Sequence, residues 1–232
     1  MAGFEKLFGL NADSFRKNCI ICPSNDASLF INKSQNRKKG LLFSVDDTGF
    51  ASVISSKNNF LIGDCVLMLK ETSCRNLFLF GSCASAGKLK IGDSVAVDNA
   101  VCLESFSSML DEAANSRSYF PDKGLFGRFY GFAKGKGLSA SNCATVSSLY
   151  LEKGLTKYFA DKRIDCADME SSIVYSAAGY AGLKALSVLY VTDIINKKQF
   201  FEPLSVIEKK KLNEARKRLS GLLSDFIKNE LA

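Results

Sequence analysis

Histidine is absent from all 232 residues, and proline occurs only three times. Without an imidazole, the Ser-His-Asp and Cys-His arrangements that activate most nucleophilic hydroxyls and thiols are excluded. The eight cysteines are too sparse for a disulfide scaffold. Cys19 and Cys22 have CxxC spacing, but they fall in an apolar run, NCIICP, that reads as a buried strand whose alternate residues face opposite ways. With no second CxxC and no histidine, a zinc site is not expected, the thiols read as reduced core residues, and no cofactor is called for. No apolar run is long enough to span a bilayer. Residues 1–18 have an amphipathic look but lack a signal peptide's apolar centre and cleavage site, so the expectation is a cytoplasmic protein without a membrane partner.

What is present is an ordinary globular composition, 47% hydrophobic and 24% charged, at a length that suits one large domain. The formal charge is +7, from 31 basic and 24 acidic residues. Much of the excess is local, at 33–39 (KSQNRKK), 134–136 and 209–218. Such runs are solvated faces, and they lack the interleaved aromatics of a nucleic-acid groove. Nucleic acid is therefore not an expected partner.

Taken in order, residues 1–18 predict a short helix with Phe4, Leu7 and Phe8 on one side, then a buried strand at 18–23. Residues 24–28 are placed to cap a helix or to line a pocket. Two strands at 41–45 and 50–55 join through a hairpin-type turn, Asp46-Asp47-Thr48-Gly49. A helix from Ile62 to about Lys70 precedes a strand at 76–80, which runs into small residues, GSCASAG, at 81–87. Strands at 94–98 and 100–104, an irregular polar excursion at 107–124, a helix at 125–133, a strand at 142–147 and a helix near 155–161 follow. A polar link after Asp193 leads to a C-terminal helix at 204–231, with Leu212, Leu219, Leu222, Leu223, Phe226 and Ile227 on its buried face. The alternation argues for one α/β domain over 1–232 with a mixed sheet.

The stretch 165–193, DCADMESSIVYSAAGYAGLKALSVLYVTD, organises this pattern. It reads as a short strand, a polar turn at Asp168-Met169-Glu170, a helix stopped by Gly182, and an apolar strand at 185–191 whose carboxyl end is Thr192-Asp193. Ligand groups gather at the carboxyl ends of strands in open α/β sheets, so Glu170 and Asp193 are candidates to face one pocket. The competing reading is local: Asp168 or Glu170 caps the helix and Asp193 begins a turn.

Three ordered segments, LFLFGSCASAGKLKIGD (77–93), TVSSLYL (145–151) and ADMESSIVYSAAGYAGLKALSVLYVTD (167–193), resemble the nucleoside phosphorylase and nucleosidase superfamily. That superfamily includes purine nucleoside and uridine phosphorylases and methylthioadenosine/adenosylhomocysteine nucleosidase. The resemblance spans about residues 19–230. It implies a single domain with a twisted, partly closed mixed sheet flanked by helices, and a homo-oligomer whose subunits cover one another's pockets. It implies that Met169 and Glu170 hold the ribose, the carboxylate accepting bonds from its hydroxyls. By the same resemblance Tyr150 lies against the nucleobase, Ser82 is a hydroxyl near the phosphate or water, and Asp193 protonates or hydrogen-bonds the leaving purine at N7.

The departures from the family pattern bear on the nucleophile. Phosphorylases carry a Gly-Asp-Pro-type turn with a following Arg after the first strand, where this chain reads Cys22-Pro23-Ser24-Asn25-Asp26-Ala27-Ser28. Leu79 stands where they place an Arg, and near 55–63 the glycine-rich turn is reduced to Gly63. A dianionic phosphate needs several cationic or N–H donors together, so their loss favours water. Lys57 or the lysines at 209–211 remain possible substitutes from outside the motif. Asp26 is the nearest acid to the position of the family's water-orienting Glu; a helix cap or Asx-turn is its alternative. Hydrolysis of a purine nucleoside is the expected reaction, with phosphorolysis and non-catalytic nucleoside binding as alternatives.

Overall fold

The computed structural model describes residues 2–31, 37–56, 61–107 and 118–231. Its ten strands are β1 (Asn18–Cys22), β2 (Lys38–Lys39), β3 (Phe43–Asp47), β4 (Ser52–Ser56), β5 (Asn76–Ser85), β6 (Ser94–Leu103), β7 (Ser118–Tyr119), β8 (Leu138–Val146), β9 (Cys166–Asp168) and β10 (Lys184–Ile194). The described α-helices are α1 (Ala2–Phe8), α2 (Ile62–Met68), α3 (Lys123–Phe132), α4 (Thr156–Asp161), α5 (Ser171–Ala181) and α6 (Val206–Glu230).

All the described strands belong to one mixed sheet, ordered β10-β6-β8-β9-β5-β1-β4-β3-β2, with β7 on β6. A further pairing of β10 with β5 bends the first five of these strands into a closed ring. β5 makes that closure possible because it is long enough to have different partners along one edge. Its first half pairs with β1 in parallel, its tip pairs with β9 in antiparallel, and its other edge runs parallel to β10 throughout. The sheet is therefore partly closed, with β1, β4, β3 and β2 as an open wing.

Central strands carry apolar residues on both faces because each face is covered by helices. β1 is buried at every position. Cys19 and Ile21 enter the core under α1, α2 and α5, while Ile20 and Cys22 enter the core under α3 and α6. All eight cysteines are buried free thiols. Phe226 of α6 meets Phe78, Phe129 and Phe132 with ring centroids 5.1–6.3 Å apart, which anchors that helix on the sheet. Ser205 starts α6 with a reciprocal capping box to Glu208. Gly182 ends α5 at φ +72°, a conformation that a side chain would strain.

Several expected boundaries move. The strand expected to stop at Phe80 continues to Ser85, because β10 and β9 supply hydrogen-bond partners for the small residues at its tip. Strands expected at 94–98 and 100–104 are one strand, interrupted only by a register shift between Val97 and Asn99. The polar excursion at 107–124 keeps 118–119 as a strand and gives 123 onward to α3; residues 108–117 lie outside the described residues, as does Lys57. Beyond Asp193 the chain is more than a polar link. Ile194 pairs with Lys198, and Phe200 folds back against the ends of the strands.

Tyr175 ties α5 to the ring. Its hydroxyl donates to the Val97 carbonyl (2.7 Å) and accepts from the Ser187 N–H (2.9 Å), both in buried surroundings. Tyr175→Phe leaves both backbone groups without that partner, at about 1–3 kcal/mol for each buried polar group stranded. The expected outcome is a lower urea midpoint with an unchanged slope; an unaltered midpoint would show that the bridge is dispensable.

Candidate functional site

Two adjoining cavities open at the carboxyl ends of β5, β9 and β10. The inner one, of about 300 Å³, is walled by Pro23, Ser24, the strand tip 81–84, Leu149, residues 167–170, Thr192, Asp193 and Phe200. The outer one, also about 300 Å³, is walled by Leu149, Tyr150, Glu152, Lys153, Asp193, Ile195, Asn196, Gln199, Phe200 and Phe201. Asp193, Leu149 and Phe200 belong to both. The larger cavity of about 630 Å³, near Arg16, Asn18 and Lys228, contains none of the expected site residues.

A fault in the strand ladder sets the position of Asp193. Val191 pairs with Cys83 and Asp193 with Ala84, so Thr192 is an inserted residue in β10. Such a bulge breaks the alternation of faces and re-aims the next side chain. Val191 stays in the core, while Asp193, only 4% exposed, reaches the junction of the cavities. Thr192 Oγ1 lies 2.6 Å from Asp193 Oδ1 and 3.3 Å from the Cys83 carbonyl oxygen, so one hydroxyl serves both sides of the bulge. Burial raises the proton affinity of the Asp193 carboxyl, and the Thr192 bond partly opposes it.

The turn at 168–170 separates two roles that the sequence left open. Asp168 takes the local one: Oδ2 accepts the Ser171 N–H at 2.8 Å and Oδ1 accepts the Thr145 hydroxyl at 2.8 Å. Thr145 Oγ1 in turn accepts the Ser172 N–H, so strand β8 and the first turn of α5 are pinned together. Glu170 occupies the N-cap position without a side-chain capping bond and lines the inner cavity beside Met169. Burial raises its carboxyl to about 8, with the neighbouring Asp168 adding to the shift. Asp168 itself is raised to about 6 by burial.

Of the six expected site residues, Ser82, Met169, Glu170 and Asp193 meet in the inner cavity. Tyr150 stands in the outer cavity, 73% exposed, with the Lys153 ammonium 4.1 Å from its ring centroid. Asp26 lies behind the inner wall. Its Oδ2 accepts Ser24 Oγ at 2.6 Å and the Tyr190 hydroxyl, and its Oδ1 accepts the Arg216 guanidinium, with Nε at 2.9 Å. It therefore meets the cavity through Ser24. Asp193 continues in strand to Ile194 and begins no turn.

Sequence reasoning passed over Glu152, Phe200 and Phe201. Glu152 is buried in the outer cavity, and burial together with Asp193 raises its carboxyl to about 7. Its only signal was a carboxylate two positions beyond Tyr150. The aromatic pair in NKKQFFEP was the signal against a purely polar link.

Three raised carboxyls give the free protein a characteristic pH response. Folded Asp168, Glu170 and Glu152 keep protons to about 6, 8 and 7, whereas in the unfolded chain they release them at their ordinary values of 3.8 and 4.5. Between about pH 4 and pH 8 the native state therefore binds more protons than the unfolded state, and its stability falls as pH rises. The free protein is expected to melt at a higher temperature near pH 5.5 than near pH 8.5. Glu170→Gln, neutral throughout, flattens the upper part of that slope. A melting temperature that climbs with pH across the window would contradict it.

Comparison with known proteins places this arrangement. The family model for the phosphorylase superfamily matches residues 64–228. No curated protein sequence matches. Among solved structures, uridine phosphorylase from Vibrio fischeri aligns over 91% of this chain and 93% of its own, at 17% identity and a TM-score of 0.73. The Campylobacter jejuni 5'-methylthioadenosine/S-adenosyl homocysteine nucleosidase aligns over 89% and 96%, at 14% identity and a TM-score of 0.69. The P. knowlesi homologue of P. falciparum PNP aligns over 93% and 92%, at 12% identity and a TM-score of 0.71. These likenesses show the same single-domain α/β fold with its sheet closed into a barrel, and with the family match they establish that the chain belongs to the phosphorylase superfamily of nucleoside phosphorylases and nucleosidases.

Proposed function

We propose that this protein cleaves the N-glycosidic bond of a purine nucleoside with water as the attacking group. The observation that carries the reading is the position of Asp193 where the two cavities meet. A nucleoside laid across that junction has its ribose beside Met169 and Glu170, its base against Tyr150, and the base nitrogens nearest the bulge acid. The bond that breaks then spans the junction.

In this reading Asp193 gives its proton to N7 of the base as the C1′–N9 bond breaks and its electron pair leaves with the base. The ribosyl cation that develops takes the oxygen of a water, which sheds a proton to solvent. Glu170 accepts the ribose hydroxyls, which must overcome its tendency to hold a proton in the empty site. Ser82 and Ser24 face the water from the strand tip and the turn after β1. Asp26 is a positioning residue that orients the Ser24 hydroxyl from behind.

Support for water over phosphate comes from the walls. Among the described residues, no lysine or arginine lines the inner cavity. Phosphorolysis has one observation in its favour: Arg216 stands behind Ser24, although its guanidinium is taken by Asp26. A homo-oligomer completes the proposal. Phe200, Phe201 and Tyr150 around the outer cavity are 62%, 81% and 73% exposed, which is apolar surface that a second copy would cover.

Release of free base from adenosine, methylthioadenosine, inosine and uridine, followed with and without phosphate, tests the reaction. Purine release independent of phosphate is expected, and Asp193→Asn should reduce it by about 10²–10⁴-fold, the usual contribution of a general acid. Strict phosphate dependence would favour phosphorolysis, and binding without release would leave a nucleoside-binding protein. Calorimetry tests Glu170: Glu170→Ala should bind purine nucleosides more weakly. Wild type near neutral pH should release a proton on binding, since hydroxyl donors favour the ionised carboxylate. Equal affinity in the variant would remove Glu170 from the ribose site.

Sedimentation velocity tests assembly. A species larger than the monomer is expected, and Phe201→Ser is expected to shift it towards monomer. A wild-type monomer at all concentrations would leave the aromatic rim without this role.

A further inference from the structure

Glu152 is a buried acid that the reaction above does not use. It opens the short 3₁₀ turn Glu152–Leu155, is 7% exposed, and has a buried Oε2 without a hydrogen-bond partner. A polar atom stranded in this way calls for an explanation, and in a cavity wall a ligand or a retained proton is the natural one. The same cavity is lined by Asp193, also buried, so two carboxyl groups from distant parts of the chain face one small space. Among the described residues, Lys153 is the one cation lining that cavity, and its ammonium lies over the Tyr150 ring. The other titratable groups around the pair are the Tyr150 phenol in the same cavity, Asp168 and Glu170 in the adjoining one, and the Cys83 thiol of β5, none of them cationic.

We propose that Glu152 and Asp193 act as one diacid that holds a single proton for the leaving base, a proton that rests on Glu152 when Asp193 is ionised and passes back to Asp193 before Asp193 gives it to the base. Two carboxyls in a poorly solvated space resist double ionisation, and their protons come off in steps that belong to the pair. Glu152 is a positioning residue here: it acts through Asp193, the group at the junction. During cleavage the pair loses its proton to the base, the C1′–N electrons leave with the base, and water supplies oxygen to C1′. A proton from solvent, equivalent to the one water sheds, restores the pair. No other reactant is needed. The proposal rests on the role given above to Asp193 and adds the residue that sets how far into the alkaline range that role extends.

The test is the pH dependence of base release in wild type and Glu152→Gln. In wild type one proton remains on the pair until Glu152 ionises, near 7. Glutamine leaves Asp193 alone, so the alkaline limb should move to lower pH by about one unit, the scale of a like-charge effect between close carboxyls. An alkaline limb at the same pH in both proteins overturns the proposal. Carboxyl ¹³C NMR on wild type supplies a reading that needs neither catalysis nor a folded variant. The Asp193 signal should move in two steps, the second coincident with the titration of Glu152. Two independent single-step titrations overturn the pair. A protein that releases no base but shows the two-step titration would refute the proposed reaction and leave the diacid standing.

Discussion

The parallel pairing of β5 with β10 is the constraint on which the rest of the structure depends. It closes five strands into a ring, and it brings residues 81–84 and 192–193, more than a hundred positions apart in sequence, to one rim. Every other site element is placed relative to those two strands. β9 attaches to the tip of β5 and delivers the turn carrying Met169 and Glu170. β1 attaches lower on the same edge and delivers Pro23 and Ser24. A break in this pairing would disperse both cavities, whereas loss of the outer wing β2–β3 would not touch them.

Burial of carboxyl groups governs the chemistry of the rim. Four carboxyl groups, Asp168, Glu170, Asp193 and Glu152, line the two cavities, and all have raised proton affinity through burial. An uncompensated buried anion is costly, so such groups retain protons instead. Glu170 and Glu152, raised to about 8 and about 7, hold protons near neutral pH. That property suits a reaction in which the leaving group must be protonated, and it disfavours the accumulation of further negative charge.

Local structure was legible where local physics decides it. The helix run of Val174, Ala177, Ala178 and Ala181, with Gly182 at positive φ, needed only spacing and one glycine. β1 was readable as a continuously apolar strand, and the strand-end rule made Glu170 and Asp193 candidates for one pocket, with local capping and a turn as the competing reading. What could not be read depended on partners distant in sequence. The small residues after Phe80 have the composition of a loop, and only β9 and β10 make them strand. The Thr192 bulge exists only relative to β5. Asp26 resembled a free acid or a local cap, but its arginine partner lies 190 residues away on α6.

That last contact links the C-terminal helix to the site. α6 is held on the sheet by Phe226 at one stretch, and at another its Arg216 reaches Asp26, the acid that fixes Ser24 in the inner wall. Tyr190, from β10, donates to the same carboxylate, so β10 supplies both the strand that carries Asp193 and a brace for the opposite wall. The charge on Asp26 is thereby compensated within the fold, unlike those of the cavity acids. Asp26 is met by a cation and builds the wall; among the described residues no lysine or arginine lines the inner cavity beside Asp168, Glu170 and Asp193. The Arg216 guanidinium goes to Asp26 and the Thr145 hydroxyl and Ser171 N–H go to Asp168, so both of these acids are bonded within the fold, while Glu170 and Glu152 are left facing the cavities.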